Sequence, residues 1–450
     1  RGAAPTGTSV GAHEAFVLRD YDVNEFNGLS VHKAVNTVET VIAPALLGMD
    51  AADQRAIDQR MLELDGTENK ERLGGNSIYS VSIACLRAAA AAHKMPVYRY
   101  LRGGALTNIP LPTFNVINGG RYPQLTQPFN EFMLAPWKAD SVEEAVELAV
   151  KVYQRLEQVI SRYLGGKKPF LGGSYGWAAP SDDPDVVLQL MAQAVEECGC
   201  ADKMAYCLDC ASSEMYDRHT DTYLYGSRRV SREELIDHAA ELIRKYPILF
   251  IEDLLAEDDW DGFVQAHQKL KGVKLIGDDF IVTNRRRLQK AYECHALDGF
   301  ILKPNQVGTI TEALDTHAYA QSSGLLTIPS GRSGGAVGDI VADLALALEA
   351  PISKNGAPKS GERLDKINSL LRASSDNPAS HLWNLTEIFR QAAKSLIVTN
   401  AHAVVAGEYP RLDVRDNDFF FLPDTLAAHA CATAADLCAR RLPKRYGFSP

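Results

Sequence analysis

Length, composition and charge exclude several classes of protein. The chain has 450 residues, of which 46% are hydrophobic and 23% charged, a balance that excludes a disordered or fibrous protein and suffices for a large core. Its net charge of −10 argues against a nucleic-acid partner, and we interpret the short basic runs at 285–287 and 440–445 as solvated helix faces. No apolar run reaches the ~18 residues of a membrane span, so no membrane partner is expected.

The first 107 residues have a mostly helical pattern and are predicted to form one domain. Apolar residues recur at helical spacing over 31–47 and 75–101, and the small residues from Ser77 onward predict a buried helix. The proline-containing run at 108–112 is typical of a linker. Because the chain begins with Arg1 rather than Met, we expect further residues upstream, and targeting information at the true N-terminus cannot be read from this sequence.

Residues 108–372 are predicted to form a second, α/β domain. Short apolar runs alternate there with helical stretches and predict eight strands, at 111–117, 130–136, 205–211, 248–253, 273–279, 297–303, 325–330 and 347–353. Strands separated by helices indicate a β/α barrel. The first two strands lie close together without a helix between them, which favours a β-β start.

Four cysteines are close in sequence and could suggest a metal site. Their spacing matches zinc patterns poorly, and two of them fall on or beside a predicted buried strand. We therefore interpret Cys198, Cys200, Cys207 and Cys210 as core thiols of a protein in a reducing compartment, and expect a cytoplasmic location. A place in a cytoskeletal or organellar assembly stays open.

Residues 373–450 are predicted to be a C-terminal extension. The segment contains Trp383, Phe389 and the aromatic run 419–421. Such residues suit an interface with a partner protein, although packing on the barrel is the simpler alternative.

Polar side chains lie at or just beyond the ends of six predicted strands: Glu131, Asp209, Glu252, Asp278, Lys303 and Lys354. In a β/α barrel the carboxyl ends of the strands meet at one mouth, so these groups are expected to converge. Asp209, Glu252 and Asp278 provide the oxygen ligands that Mg²⁺ prefers. Lys303 could then remove a proton next to a carboxylate, with the metal stabilising the enolate. A purely structural network of salt bridges remains the alternative.

The sequence resembles the enolases over nearly the whole chain to about residue 372. The resemblance rests on LDGTENK at 64–70, FNVINGG at 114–120, FIED at 250–253, IGDDFIVTN at 276–284, LKPNQVGT at 302–309 and KNGAP at 354–358. It implies an α+β capping domain on a barrel that begins β-β-α-α, with the first strands of the cap upstream of Arg1. The implied reaction is Mg²⁺-dependent dehydration of 2-phosphoglycerate to phosphoenolpyruvate, usually by a homodimer.

The resemblance also implies a role for individual residues. Asp209, Glu252 and Asp278 correspond to the metal ligands, and Lys303 to the general base. Glu131 corresponds to one of two active-site glutamates. The residues implied to contact substrate or the second metal are Lys354 for the carboxylate, Arg332 and Ser333 for the phosphate, and Ser9 for the second metal.

Three polar positions of the family pattern are altered in this chain. Tyr175 stands where enolases have the glutamate that helps to expel hydroxide, Gly331 replaces an active-site histidine, and Tyr122 replaces another. One positioned acid or base contributes about 10²–10⁴-fold to a rate, so ordinary turnover is not expected.

Three hypotheses follow from this combination. The first is an impaired or inactive enolase that serves as a structural or binding protein through residues 373–450. The second is a working phosphopyruvate hydratase in which Tyr175 or Glu131 acts as the acid. The third is a different reaction that uses the metal and Lys303 on another carboxylic acid.

Overall fold

The computed structural model describes residues 1–5, 7, 10–121, 125–383 and 436. Its helices are His32–Thr37, Ala43–Leu46, Gln54–Asp65, Gly75–Ala92, Val97–Arg102, Val142–Tyr163, Pro184–Glu197, Arg232–Lys245, Trp260–Lys269, Arg285–Glu293, Pro304–Val307, Ile310–Ser322, Val341–Ala347 and Gly361–Asp376. No helix in these ranges has the length and apolar character needed to cross a membrane.

Eight strands form the barrel: β1 (Leu111–Arg121), β2 (Thr126–Ala135), β3 (Ala205–Asp209), β4 (Ile248–Glu252), β5 (Lys274–Gly277), β6 (Gly299–Leu302), β7 (Leu326–Pro329) and β8 (Ile352–Lys354). They are hydrogen-bonded in the order β7-β6-β5-β4-β3-β2-β1-β8. A single bridge between Ser330 and Lys354 joins β7 to β8 and closes the ring. The prediction of an α/β barrel is confirmed.

The start of the barrel is β-β-α-α, as expected. β2 runs antiparallel to both β1 and β3, and two helices, Val142–Tyr163 and Pro184–Glu197, lie between β2 and β3. The remaining ladders are parallel, and most of the crossovers between them contain a helix.

The other strands are short. Asn108–Ile109 pairs with His381–Leu382, and Trp177–Ala178 pairs with β1. A three-stranded sheet follows β3 and consists of Tyr216–Asp217, Thr222–Tyr225 and Arg228–Val230.

Most predicted strand bounds differ from the structure by a few residues, and two predicted elements differ by more. The helical pattern over 75–101 is interrupted, because Pro96 lacks the N–H of a helix interior and instead precedes the helix Val97–Arg102. The last predicted strand, 347–353, begins only at Ile352, since residues up to Ala347 continue a helix and Glu349 is left-handed. Lys354 is consequently the last residue of β8.

The predicted boundary at 372 also falls inside an element. The helix Gly361–Asp376 runs through it, and His381–Leu382 then pairs with the segment that precedes β1. The structure thus joins residues up to Leu382 to the barrel. The boundary at 107, and any role of the extension beyond residue 383, stay predictions, and Phe389 and residues 419–421 lie outside the described residues.

The helix Gly75–Ala92 connects two hydrophobic clusters. Ile78 packs with Ile42, Ile57 and Met61 among the N-terminal helices, whereas Ile83 belongs to the large cluster around the barrel. Burial accounts for only part of its alanine run, since Ala89 and Ala90 are buried and Ala88, Ala91 and Ala92 are exposed.

The four clustered cysteines are buried free thiols, as predicted. Burial raises the pKa of the Cys207 and Cys210 thiols, so these groups stay protonated.

One buried carboxyl in the described fold yields a pH prediction. Asp343 accepts a hydrogen bond of 3.2 Å from the Tyr98 backbone N–H, and burial raises its pKa to about 6. The unfolded chain loses this proton near the ordinary Asp value, so the free energy of unfolding should fall between about pH 4 and pH 6. We expect Asp343→Asn to reduce that fall by roughly 1–2 kcal/mol in urea unfolding at several pH values. The exposed Asp376→Asn is the control, and an unchanged slope in Asp343→Asn would contradict the assignment.

Candidate active site at the barrel mouth

The predicted polar residues meet at the carboxyl end of the barrel. Asp209 and Glu252 are the last residues of β3 and β4, Asp278 directly follows β5, and Lys303 directly follows β6. A cavity of about 70 Å³ lies at this mouth. Among the residues that line it are Glu131, Asp209, Asp278, Lys303, Gly331, Arg332, Ser333 and Lys354.

Glu131 reaches the mouth in a different way from the others. It lies within β2 rather than at its end, opposite Asn118 of β1 and Asp209 of β3. Because β2 is antiparallel, an interior position of this strand lies level with the carboxyl ends of its neighbours. The side-chain amide of Asn115 donates a hydrogen bond of 2.9 Å to Glu131 Oε1.

Lys354 is the centre of a buried cluster of carboxylates. Its Nζ lies 2.5 Å from Glu252 Oε2, 3.2 Å from Asp209 Oδ2 and 3.7 Å from Glu131 Oε2. Burial disfavours the ammonium, but the three acids outweigh burial and raise the pKa of Lys354 well above its usual value. Burial, with repulsion from Asp209, likewise raises the pKa of Glu252. The lysine therefore supplies the positive charge that these acids require.

Lys303 forms the second ion pair, with Asp278 Oδ2, while Gln306 donates a hydrogen bond of 2.8 Å to Asp278 Oδ1. Burial opposes ionisation of Asp278, but Lys303 and Lys354 hold its pKa below the usual value. Pro304 is the first residue of the next short helix, so Lys303 lies between that helix and the end of β6. The hydroxyl of Thr283 accepts a hydrogen bond of 2.8 Å from the Lys303 N–H and fixes its backbone.

The acidic side chains are suited to a divalent cation. Glu252 Oε1 is buried and accepts no hydrogen bond from the described residues, so this oxygen is available to a cation. Carboxylate oxygens of Asp253, Asp278 and Asp279 lie within 4.8 Å of one another. Burial and neighbouring acids raise the pKa of Asp253 to about 8, which a cation would reverse. Oxygen-only donors of this kind fit Mg²⁺.

Arg332 is held by a residue that the sequence did not single out. Its guanidinium donates a hydrogen bond of 2.8 Å to Glu14 Oε2, and both side chains are buried. Glu14 lies 318 positions away in sequence, in the N-terminal segment that carries the predicted residue Ser9. Ser9 itself and Tyr122 lie outside the described residues.

Tyr175 does not line this cavity. Its ring is 41% exposed and lies 5.2 Å from the guanidinium carbon of Arg363, and no hydrogen bond of its hydroxyl group is found within the described ranges. The backbone carbonyl of Tyr175 accepts a hydrogen bond from the Tyr153 hydroxyl, which anchors the loop with the side chain turned to its rim. The structure therefore does not support Tyr175 as the proton donor.

Gly331 lines the mouth, but the space beside it is filled by a lysine. A Cβ added at Gly331 would lie 2.4 Å from Lys366 Nζ. Lys366 and Arg363 come from the helix Gly361–Asp376 and line a second cavity of about 40 Å³ next to Glu131 and Lys354. Sequence reasoning missed both residues, because they lie beyond the strand ends and within an ordinary helical pattern.

The comparison with known proteins agrees with this geometry. A family model described as "Enolase, N-terminal domain" matches residues 1–101, and one described as "Enolase, C-terminal TIM barrel domain" matches residues 106–389. The chain belongs to the enolase family. A curated enolase from Methanococcus maripaludis is 42% identical over 368 residues, which cover 82% of this chain and 86% of the relative. Enolases from Thermococcus gammatolerans and Pyrococcus furiosus are each 41% identical over 375 residues, or 83% of this chain and 87% of each relative.

Membership of the enolase family confirms the resemblance inferred from the sequence motifs. The two family domains and the β-β-α-α barrel agree with the fold expected for an enolase. Similarity of the whole chain leaves open how the altered positions affect the reaction, which depends on the individual residues of the site.

The acidic mouth leads to a prediction about metal binding. Mg²⁺ should raise the melting temperature, because a ligand that binds only the folded state stabilises it, by about 2.7 kcal/mol at 100 times its Kd. Glu252→Gln removes a charged ligand and should abolish most of this shift in a thermal melt.

The control for this experiment is a second acidic group on the surface. Asp20, Glu25 and His32 also lie close enough to hold an ion. Asp20→Asn should leave the Mg²⁺ shift unchanged. A shift that disappears in Asp20→Asn and persists in Glu252→Gln would contradict a metal site at the barrel mouth.

Proposed function

We propose that this enolase-family protein is a slow, Mg²⁺-dependent phosphopyruvate hydratase, with intact machinery for proton abstraction and impaired machinery for expelling hydroxide. The proposal depends on one observation. Lys303, Lys354 and Arg332 line the same cavity as the carboxylates of Glu131, Asp209 and Asp278. Such an arrangement suits a small acid with two negatively charged groups.

Substrate binding is assigned to the cationic residues. Lys354 would hold the substrate carboxylate, and Arg332 with Ser333 would hold the phosphate. Asp209, Glu252 and Asp278 would bind Mg²⁺, which supplies charge stabilisation for the enolate when bound. Glu14 would orient Arg332 through the buried ion pair between them.

Proton abstraction is assigned to Lys303. The C2–H bond of 2-phosphoglycerate breaks, the proton passes to Lys303 Nζ, and the electron pair enters the substrate carboxylate to give an enolate. In the described structure the Lys303 ammonium is bound to Asp278, so the amine must lose its proton and leave that carboxylate before it can act as a base. When the enolate collapses, the C3–O bond breaks and the hydroxyl group leaves as water after gaining a proton.

Glu131 is the best candidate to supply that second proton. Burial raises its pKa, although Lys354 opposes the shift, so a larger share of Glu131 is protonated than of an ordinary glutamate. It also lines the cavity, unlike Tyr175. A slow second half-reaction is supported by Tyr175 and Gly331, since a tyrosine is a weaker acid than a glutamic acid and a glycine carries no acid or base.

The two other hypotheses stay predictions. A role as a structural or binding component rests on the extension, nearly all of which lies outside the described residues. A homodimer is expected from the family alone. A reaction on another carboxylic acid is disfavoured by the retained Arg332 and Ser333, whose pairing suits a phosphorylated substrate.

The two half-reactions can be measured separately. In D₂O with Mg²⁺, we expect the C2 hydrogen of 2-phosphoglycerate to exchange faster than phosphoenolpyruvate forms, because the altered positions 175 and 331 affect only the second step. Proton NMR of the substrate follows both. Lys303→Met should abolish both processes, whereas Lys359→Met, an exposed change, should leave them intact. Absence of exchange and of product in the unaltered protein would overturn the proposal, and equal rates would contradict an impaired second step.

The identity of the acid is tested by two further variants. Glu131→Gln should lower phosphoenolpyruvate formation by about 10²–10⁴-fold and exchange by less. Tyr175→Phe should change neither rate, because its hydroxyl lies outside the cavity. The reverse pattern would assign the proton to Tyr175.

A further inference from the structure

Gly331 lies beside a buried lysine, Lys366, which lines the 40 Å³ cavity together with Lys354. The Lys366 ammonium lies where a side chain at 331 would begin, since an added Cβ would be 2.4 Å from Nζ and 3.4 Å from Cε. Any residue other than glycine would have to displace this ammonium. The absence of a side chain at Gly331 therefore leaves the space that the Lys366 ammonium occupies.

Lys366 is held in place by its own helix. Glu362 and Arg363 lie in the first turn of Gly361–Asp376 and Lys366 one turn later, and all three are buried. Lys366 Nζ is 3.1 Å from Glu362 Oε2, while Arg363 donates a hydrogen bond of 2.9 Å to Glu362 Oε1. The lysine side chain is only 4% exposed.

The ammonium has more donors than partners. A lysine carries three N–H groups, and the ion pair with Glu362 is the one close contact to an acceptor found within the described ranges. Lys366 also interacts electrostatically with Asp339, at a distance beyond that of an ion pair. Because an incompletely paired buried cation is costly, its remaining donors call for an acceptor in the cavity.

The charge of the cavity identifies that acceptor as an anion. Arg332, Lys354, Arg363 and Lys366 line the 40 Å³ cavity, against one carboxylate, Glu131. Lys354 is already paired with three acids, and Arg332 with Glu14. The cationic excess therefore lies at the end that contains Gly331, Ser333 and Lys366.

We propose that Lys366 binds the phosphate of the substrate together with Arg332 and Ser333, in the space that Gly331 leaves. This inference deepens the proposed function and rests on it, since it assumes a phosphorylated hydroxy acid in this cavity. It makes Gly331 and Lys366 a pair: the glycine is the condition for the lysine to contact substrate.

Equilibrium binding tests the pair without requiring turnover. Calorimetric titrations with Mg²⁺ would compare 2-phosphoglycerate with D-glycerate, which lacks the phosphate. Gly331→Ala displaces the ammonium but keeps its charge, and Lys366→Met removes the charge. Each should weaken 2-phosphoglycerate binding about tenfold or more, the usual value of a charge-assisted hydrogen bond, and leave D-glycerate unaffected.

The remaining variants separate a binding role from a structural one. Lys366→Arg retains a cation and should restore part of the affinity, and the exposed Lys359→Met should have no effect. Thermal melts monitor the fold, and Gly331→Ala keeps the test valid should Lys366→Met unfold. If the unaltered protein binds 2-phosphoglycerate and both variants bind it equally well, this inference is overturned while the proposed function stands. If the unaltered protein does not bind it, both fail.

Discussion

The buried ammonium of Lys354 is the interaction on which the mouth of the barrel depends. Without it, Glu131, Asp209 and Glu252 would hold three carboxylates in a space from which water is largely excluded. Removing one partner of such a cluster leaves an uncompensated buried charge, which costs about 3–5 kcal/mol. Lys303 and Asp278 form a further ion pair just beyond the ends of β6 and β5. The same charges that could bind metal and substrate thus also stabilise the metal-free fold.

The altered positions that the structure describes lie in loops, whereas three of the retained ones lie on strands. Asp209 and Glu252 are held by ladders on both sides, and Lys354 by the ladder to β1 and the bridge to Ser330. Tyr175 and Gly331 are in loops, and Gly331 shares its loop with the retained Arg332 and Ser333. A loop residue can change without disturbing the barrel, since its backbone is not part of the core. Beside Gly331, the space that a side chain would need is occupied by Lys366 of the helix Gly361–Asp376.

Much of the barrel could be predicted because each strand is a short apolar run flanked by polar residues. The direction of β2 could not be derived from its own pattern, since periodicity is identical for parallel and antiparallel strands. This direction explains why Glu131 reaches the barrel mouth from the middle of its strand. The apolar run at 347–353 contains both the end of a helix and the start of a strand. Apolar content alone does not distinguish one from the other. The contacts of Arg332 with Glu14 and of Lys366 with Gly331 join distant parts of the chain, and no local signal announces them.

The closure of the barrel has a consequence for its motions. Strands β7 and β8 are joined by the single bridge between Ser330 and Lys354, whereas β6 and β7 share four paired positions. A seam with so few hydrogen bonds opens at a lower free energy than the ladders around it, so amide hydrogens there should exchange earliest. Arg332 and Lys354 lie on the two sides of this seam. A ligand that contacts both would hold the ring shut, so binding at the mouth and integrity of the barrel are thermodynamically linked.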